Sequence, residues 1–245
     1  MISLPLVPRS AVPVLLLAIA AAAGASVTAK RVVIATDRGW STTLVVGASA
    51  SAPVQTVVLT NCTSGPLPTV HLVPNGSAVL RDAGPSQCRL RSGFGLVTLS
   101  FDGVAESHLT FRNGGATVSS LVVPSLDVPL DADHPHVRMS LVSNDVASEE
   151  GERTYLVVFG PPAEMKLYVY DGTDDLIDVE LIHDRDFDLT RQMLFYAVTT
   201  QQAIGSLILE PDEADQVWYG FASVGPANGT RSEVRPWESS SPPHF

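Results

Sequence analysis

Apolar positions along this chain fall in short β-branched runs divided by turn residues at intervals of about 8–12, the spacing of sandwich and barrel strands. In the first part the runs are Val32–Thr36, Thr42–Gly47, Val54–Thr60, Thr69–Val73, Leu96–Phe101, Leu109–Arg112 and Ala116–Val123. In the second they are Val137–Val142, Thr154–Gly160, Met165–Tyr170, Leu176–Ile182, Ile204–Glu210 and Val217–Ala222. Asn113-Gly114-Gly115 predicts a tight hairpin turn, because Asn and Gly accept the positive φ such turns need. Alternation is clearest in Met165–Tyr170, where Lys166 shares a face with Tyr168 and Tyr170, so that face is expected to be partly wet.

One stretch is ambiguous. Leu189, Met193, Tyr196, Ala197 and Ile204 lie near helical spacing behind Asp186 and Asp188 as N-cap candidates, whereas Phe195–Thr200 favours a strand. The balance leans to strand. The fold class predicted is all-β, an antiparallel β-sandwich architecture of two sandwich domains or one large sandwich.

Three prolines between Pro124 and Pro135 mark a connector. Charge changes there too: Ser26 to Leu130 carries seven bases and five acids, whereas Asp131 to Phe245 carries seven bases and twenty-one acids. This shift predicts a β-sandwich domain over 26–130, an acidic β-sandwich domain over 131–226 and a disordered tail over 227–245. A single sandwich with an acidic face would show the same asymmetry.

The N-terminus reads as a secretory signal peptide, residues 1–25. Arg9 precedes an apolar run from Ala11 to Ala23, and Ala23-Gly24-Ala25 offers a cleavage site before Ser26, with a second after Ala29. The alternative, a retained anchor, is disfavoured by the shortness of the run and by Pro13. Lys30-Arg31 just downstream is either a propeptide cut or plain solvated charge. The end of the chain, Glu238 to Phe245, is polar and Pro-rich, and no second membrane span or lipid-anchor tail is predicted.

Export fits the sequons at Asn61, Asn75 and Asn228, since three matches among five Asn exceed the roughly one that chance supplies. Cys62 and Cys88 are then expected to form one disulfide, worth roughly 3 kcal/mol. Two buried thiols are the alternative.

The 245 residues carry 15 Lys and Arg against 26 Asp and Glu, a net charge of −11, which excludes nucleic acid as a partner. The densest acidic group, Asp171, Asp174, Asp175, Asp178 and Glu180 followed by Asp184, Asp186 and Asp188, is a calcium candidate, because Ca²⁺ takes six to eight oxygens. It lacks the glycine and terminal Glu of an EF-hand, and the plainer expectation is a solvated hairpin loop starting at Asp171-Gly172. His134 and His136, with Asp131 and Asp133, could face a zinc or copper ion from one side of an extended segment, although histidines beside prolines are usually unliganded.

No Gly-x-Ser-x-Gly elbow, His-Glu-x-x-His helix or phosphate loop is present, so no catalytic residue and no required cofactor is assigned. Of Trp40, Trp218 and Trp237, Trp218 sits in an alternating Trp-Tyr-Gly-Phe run that reads as a core strand rather than a sugar-stacking platform. The expected function is a secreted or surface-associated, non-enzymatic glycoprotein whose acidic second half engages a basic protein. A calcium-dependent adhesion or carbohydrate-binding module is one alternative, an exported hydrolase the other.

Overall fold

The computed structural model describes residues 28–35, 39–50, 55–58, 69–80, 94–144, 151–200, 202–226 and 232–244. The leader, Cys62, Cys88, Asn61 and Asn228 lie outside them. The described residues are nearly all β, in several antiparallel sheets, as the alternation predicts.

In the first part, β2 (Trp40–Ala48), β5 (Ser77–Leu80), β7 (Gly103–Asn113) and β8 (Ala116–Pro124) form a four-stranded sheet in the order β5-β2-β7-β8. Two strand pairs accompany it, β1 (Thr28–Ala35) with β6 (Phe94–Phe101), and β3 (Gln55–Val58) with β4 (Thr69–Leu72). Gly114 and Gly115 close the β7–β8 hairpin at φ of 57° and 88°, the conformation the sequence requires of them. β5 was not predicted.

The second part packs a four-stranded sheet against a five-stranded one. One has the order β13-β10-β15-β16, from β10 (Glu152–Phe159), β13 (Met193–Ala197), β15 (Tyr219–Pro226) and β16 (Glu233–Pro236). The other has the order β12-β11-β14-β9-β17, from β9 (Val137–Ser140), β11 (Met165–Tyr170), β12 (Leu176–Ile182), β14 (Ser206–Pro211) and β17 (Glu238–Ser239). The ambiguous stretch supplies the edge strand β13, because Met193 and Leu194 are buried against β10.

β1 is buried on both faces. Val32 and Ile34 enter an apolar cluster with Leu44, Val46, Leu72, Val97, Leu99 and Phe101. Val33 and Ala35 enter a second cluster, which runs on through Leu126, Leu130, Leu156, Leu167, Leu209, Trp218 and Trp237. Period-two geometry makes this division automatic once both faces are covered. Thr42 reaches the same interior at no polar cost, since its hydroxyl donates to the Ala35 carbonyl at 3.0 Å and accepts from the Ala35 N–H at 2.9 Å.

The Pro-rich connector is part of the interior. Leu126 and Leu130 are buried, and Leu130 exchanges two backbone hydrogen bonds with Trp218, at 2.9 and 3.0 Å. The Trp218 indole donates to the Pro161 carbonyl at 2.7 Å, and the Trp237 indole donates to the Val128 carbonyl at 2.6 Å. Arg31 stacks on the Tyr219 ring at 4.1 Å and accepts the Leu126 N–H on its backbone oxygen at 2.8 Å.

The expectation of a disordered tail over 227–245 is corrected for Ser232 to His244. β16 pairs with β15, β17 pairs with β9, and Trp237 between them is buried. One aromatic anchor outweighs a polar, Pro-rich composition, because burying an indole gains several kcal/mol at once.

Trp218 lies against Gly160, whose φ is +150°. A Cβ there would sit 2.4 Å from the indole Cδ1, so Gly160→Ala combines backbone strain with a clash. Equilibrium denaturation is expected to show a loss of about 2–4 kcal/mol for this variant.

Candidate functional site

The calcium candidates occupy the two ends of β12. Asp171, Asp174 and Asp175 form the β11–β12 turn, and Asp184, Asp186 and Asp188 follow the strand. Seven residues of extended chain keep the groups about 23 Å apart, too far to share an ion. The carboxylates are engaged locally. That of Asp171 accepts the Thr173 N–H and hydroxyl at 2.7 and 2.8 Å and the Asp175 N–H at 3.1 Å, which holds it below the ordinary carboxyl range. Asp174 pairs with Arg138, Asp186 accepts the His183 N–H at 2.9 Å, and Asp188 accepts the N–H groups of Thr190 and Arg191 at 2.9 and 3.1 Å. Among the described residues no three His, Cys, Asp or Glu side chains are placed to share a metal ion.

His134 and His136 also separate. His134 faces Asp131 at 3.2 Å, and His136 faces Glu210 at 3.7 Å on β14. Trp218 is fully buried, so it offers no stacking surface to a sugar. Asn75 is exposed in the β4–β5 turn, where φ of 56° and the hydrogen bond from the Gly76 N–H to the Val73 carbonyl, 2.7 Å, follow the type II pattern with Pro74 ahead of it.

The acids that do converge come from three segments far apart in sequence. Glu164 before β11, Asp184 after β12, and Asp212, Glu213 and Asp215 after β14 line a depression of about 340 Å³ at one end of the second part. Lys166 reaches Asp212 at 3.0 Å and is raised by that contact, and His183 reaches Glu164 at 2.7 Å. Asp184, Glu213 and Asp215 form no ion pair with any described residue. The five carboxylates meet because the β10–β11 turn, the end of β12 and the β14–β15 loop all close the same end of the sandwich. No family model matches the chain, and no curated protein matches its sequence.

Beside the depression lies the outer face of the β12-β11-β14-β9-β17 sheet. Cross-strand register places Leu181, Lys166 and Glu210 in one row, and Val179, Tyr168, Ile208 and Arg138 in the next. The face is partly wet, as expected: Tyr168, Tyr170 and Ile208 are buried, while Lys166 is half-exposed and Val179 and Leu181 stay 41% and 58% exposed. The segment after β17 contributes to the cover, since the Tyr170 hydroxyl donates to the His244 carbonyl at 3.4 Å.

Glu180 points the other way. It is 7% exposed, and one carboxylate oxygen accepts the N–H groups of Thr199 and Thr200 at 2.9 and 2.8 Å. The residue thus ties the edge strand of one sheet to the segment leaving the edge strand of the other. A lone acid inside an acidic run gave no sign of this role.

A second concavity, of about 590 Å³, opens between the two parts. Trp40 and Leu121 form one wall and Val157, Met193 and Phe221 another, with Tyr155 stacked on the exposed Phe195 at 5.1 Å. It is predominantly apolar.

Burial pushes the Tyr168 hydroxyl up to about 12, with Glu210 adding to it, and burial beside Glu180 does the same for Tyr196. A raised folded value means that stability is fully present below the free tyrosine value of 10 and falls as pH rises through about 12. Alkaline titration is expected to show stability declining over that interval, with Tyr168 and Tyr196 ionising late and together with unfolding, and with Tyr170 and Tyr219, also raised by burial, ionising above the free value. Ionisation of every tyrosine near its free value, with the fold intact, would contradict the burial.

Proposed function

We propose that this chain is a non-enzymatic binding module whose acidic second part engages a basic surface of a partner protein. The observation that carries this reading is the convergence of five carboxylates from three separate segments on one depression, with Lys166 and His183 as the bases paired there. Like-signed charge gathered at one pole steers a cationic partner by its long-range field, and raises the association rate by 10-fold to 10³-fold in favourable cases. It also repels anionic surfaces.

The absence of Gly-x-Ser-x-Gly, His-Glu-x-x-His and phosphate-loop motifs in the sequence supports binding over hydrolysis. We further propose that the module is exported and glycosylated, with a Cys62–Cys88 bridge. The leader and the three sequons support this, and Asn75 on an exposed turn suits a glycan.

The test uses immobilised poly-L-lysine as the probe and the triple variant Asp184→Asn, Glu213→Gln, Asp215→Asn, which breaks no ion pair among the described residues. Neutralising three acids should slow association about 3- to 10-fold at low salt. The difference should vanish at about 0.5 M salt, where the screening length falls to a few ångströms. Equal association rates for both proteins at low salt would refute the reading.

A further inference from the structure

The cationic partner has a more definite shape if the neighbouring sheet is considered with the charge. β12 ends its sheet, so one of its sides faces no strand among the described residues. Alternate backbone N–H and C=O groups of such a strand are left without ladder partners, a ready template for an added strand. The Val179 N–H donates to the Asp178 carboxylate at 2.8 Å, a side-chain contact of the kind that occupies an open edge until something better replaces it. Val179 and Leu181 project from the same stretch and remain exposed.

Charge frames this apolar centre at both ends. Asp175 stands at the start of β12, next to Asp174, whose charge Arg138 already meets, and Asp184, on the rim of the acidic depression, follows its end. We infer that β12 is a docking edge for an extended segment of the partner, one with an apolar alternating centre and Lys or Arg at both ends, which adds to the sheet as a sixth strand. This inference rests on the cationic-partner reading and names where and how the partner binds. Backbone pairing would supply affinity, Val179 and Leu181 the match to apolar side chains, and the flanking carboxylates the orientation and selectivity. The same carboxylates disfavour an anionic strand. Glu180, fixed inward on Thr199 and Thr200, keeps the edge strand in place while its outer side is used.

The experiment measures binding of a blocked peptide with two lysines at each end around an alternating Val/Thr centre. A second peptide of the same sequence carries N-methyl groups on alternate centre residues, which keeps charge and side chains but removes backbone donors. The full-length protein should bind the first peptide and bind the N-methylated one at least tenfold more weakly. Val179→Pro, placed on an edge where proline is tolerated, should cost a similar factor, with thermal unfolding reporting whether the variant is folded. Equal affinity for the two peptides overturns the edge mode while leaving a salt-sensitive cationic partner standing. Binding of neither peptide, with poly-L-lysine still captured, likewise overturns it. Loss of both peptides and of poly-L-lysine removes the edge and the cationic partner together.

Discussion

Two buried indoles hold the segment between Leu126 and Leu130 inside the molecule, and the arrangement of the sheets follows from that. Trp218 and Leu130 exchange backbone hydrogen bonds, while the Trp237 ring nitrogen donates to Val128 from the far end of the chain. A proline-rich segment cannot supply a full ladder of its own, so its carbonyls need donors from elsewhere. Tryptophan meets this need well, since one side chain brings a large apolar face and one N–H. β1 works toward the same end from the other side, dividing its valines and isoleucine between two apolar clusters.

This anchoring determines which surfaces remain. With Trp237 seated, β17 pairs with β9 and the following residues reach Tyr170, so that side of the outer face is covered. Among the described residues the β12 side is left open, with Val179 and Leu181 exposed and carboxylates at either end. Charge is concentrated there because the loops that close the end of a sandwich are where solvated acids are tolerated, and three such loops meet at one place. The surface that is open and the surface that is charged are adjacent for topological reasons.

Much of the strand pattern was legible. The alternation of Met165–Tyr170, the Asn113–Gly115 turn and the β-branched runs of β1, β10 and β14 each carry their periodicity in plain view, and each forms the predicted element. The connector was harder, because its prolines mask Leu126, Val128 and Leu130, whose burial is set by partners far away in sequence. The strands around Trp237 were obscured by a polar composition in which a single residue provides the anchoring. The acidic run misled for a geometric reason: residues close in sequence on either side of an extended strand are carried apart, whereas Glu164, Asp184 and Asp215, far apart in sequence, are brought together. Glu180 shows the same limit, since its face was decided by the opposite sheet.

Replacing the Trp237 ring tests the anchoring most directly. Equilibrium denaturation of Trp237→Ala is expected to show a loss of about 3–5 kcal/mol. Trp237→Phe should recover part of the loss, retaining an aromatic ring but leaving the Val128 carbonyl without its donor. A Trp237→Ala protein within about 0.5 kcal/mol of the parent would mean that the C-terminal segment is not what holds the connector and the outer sheet together.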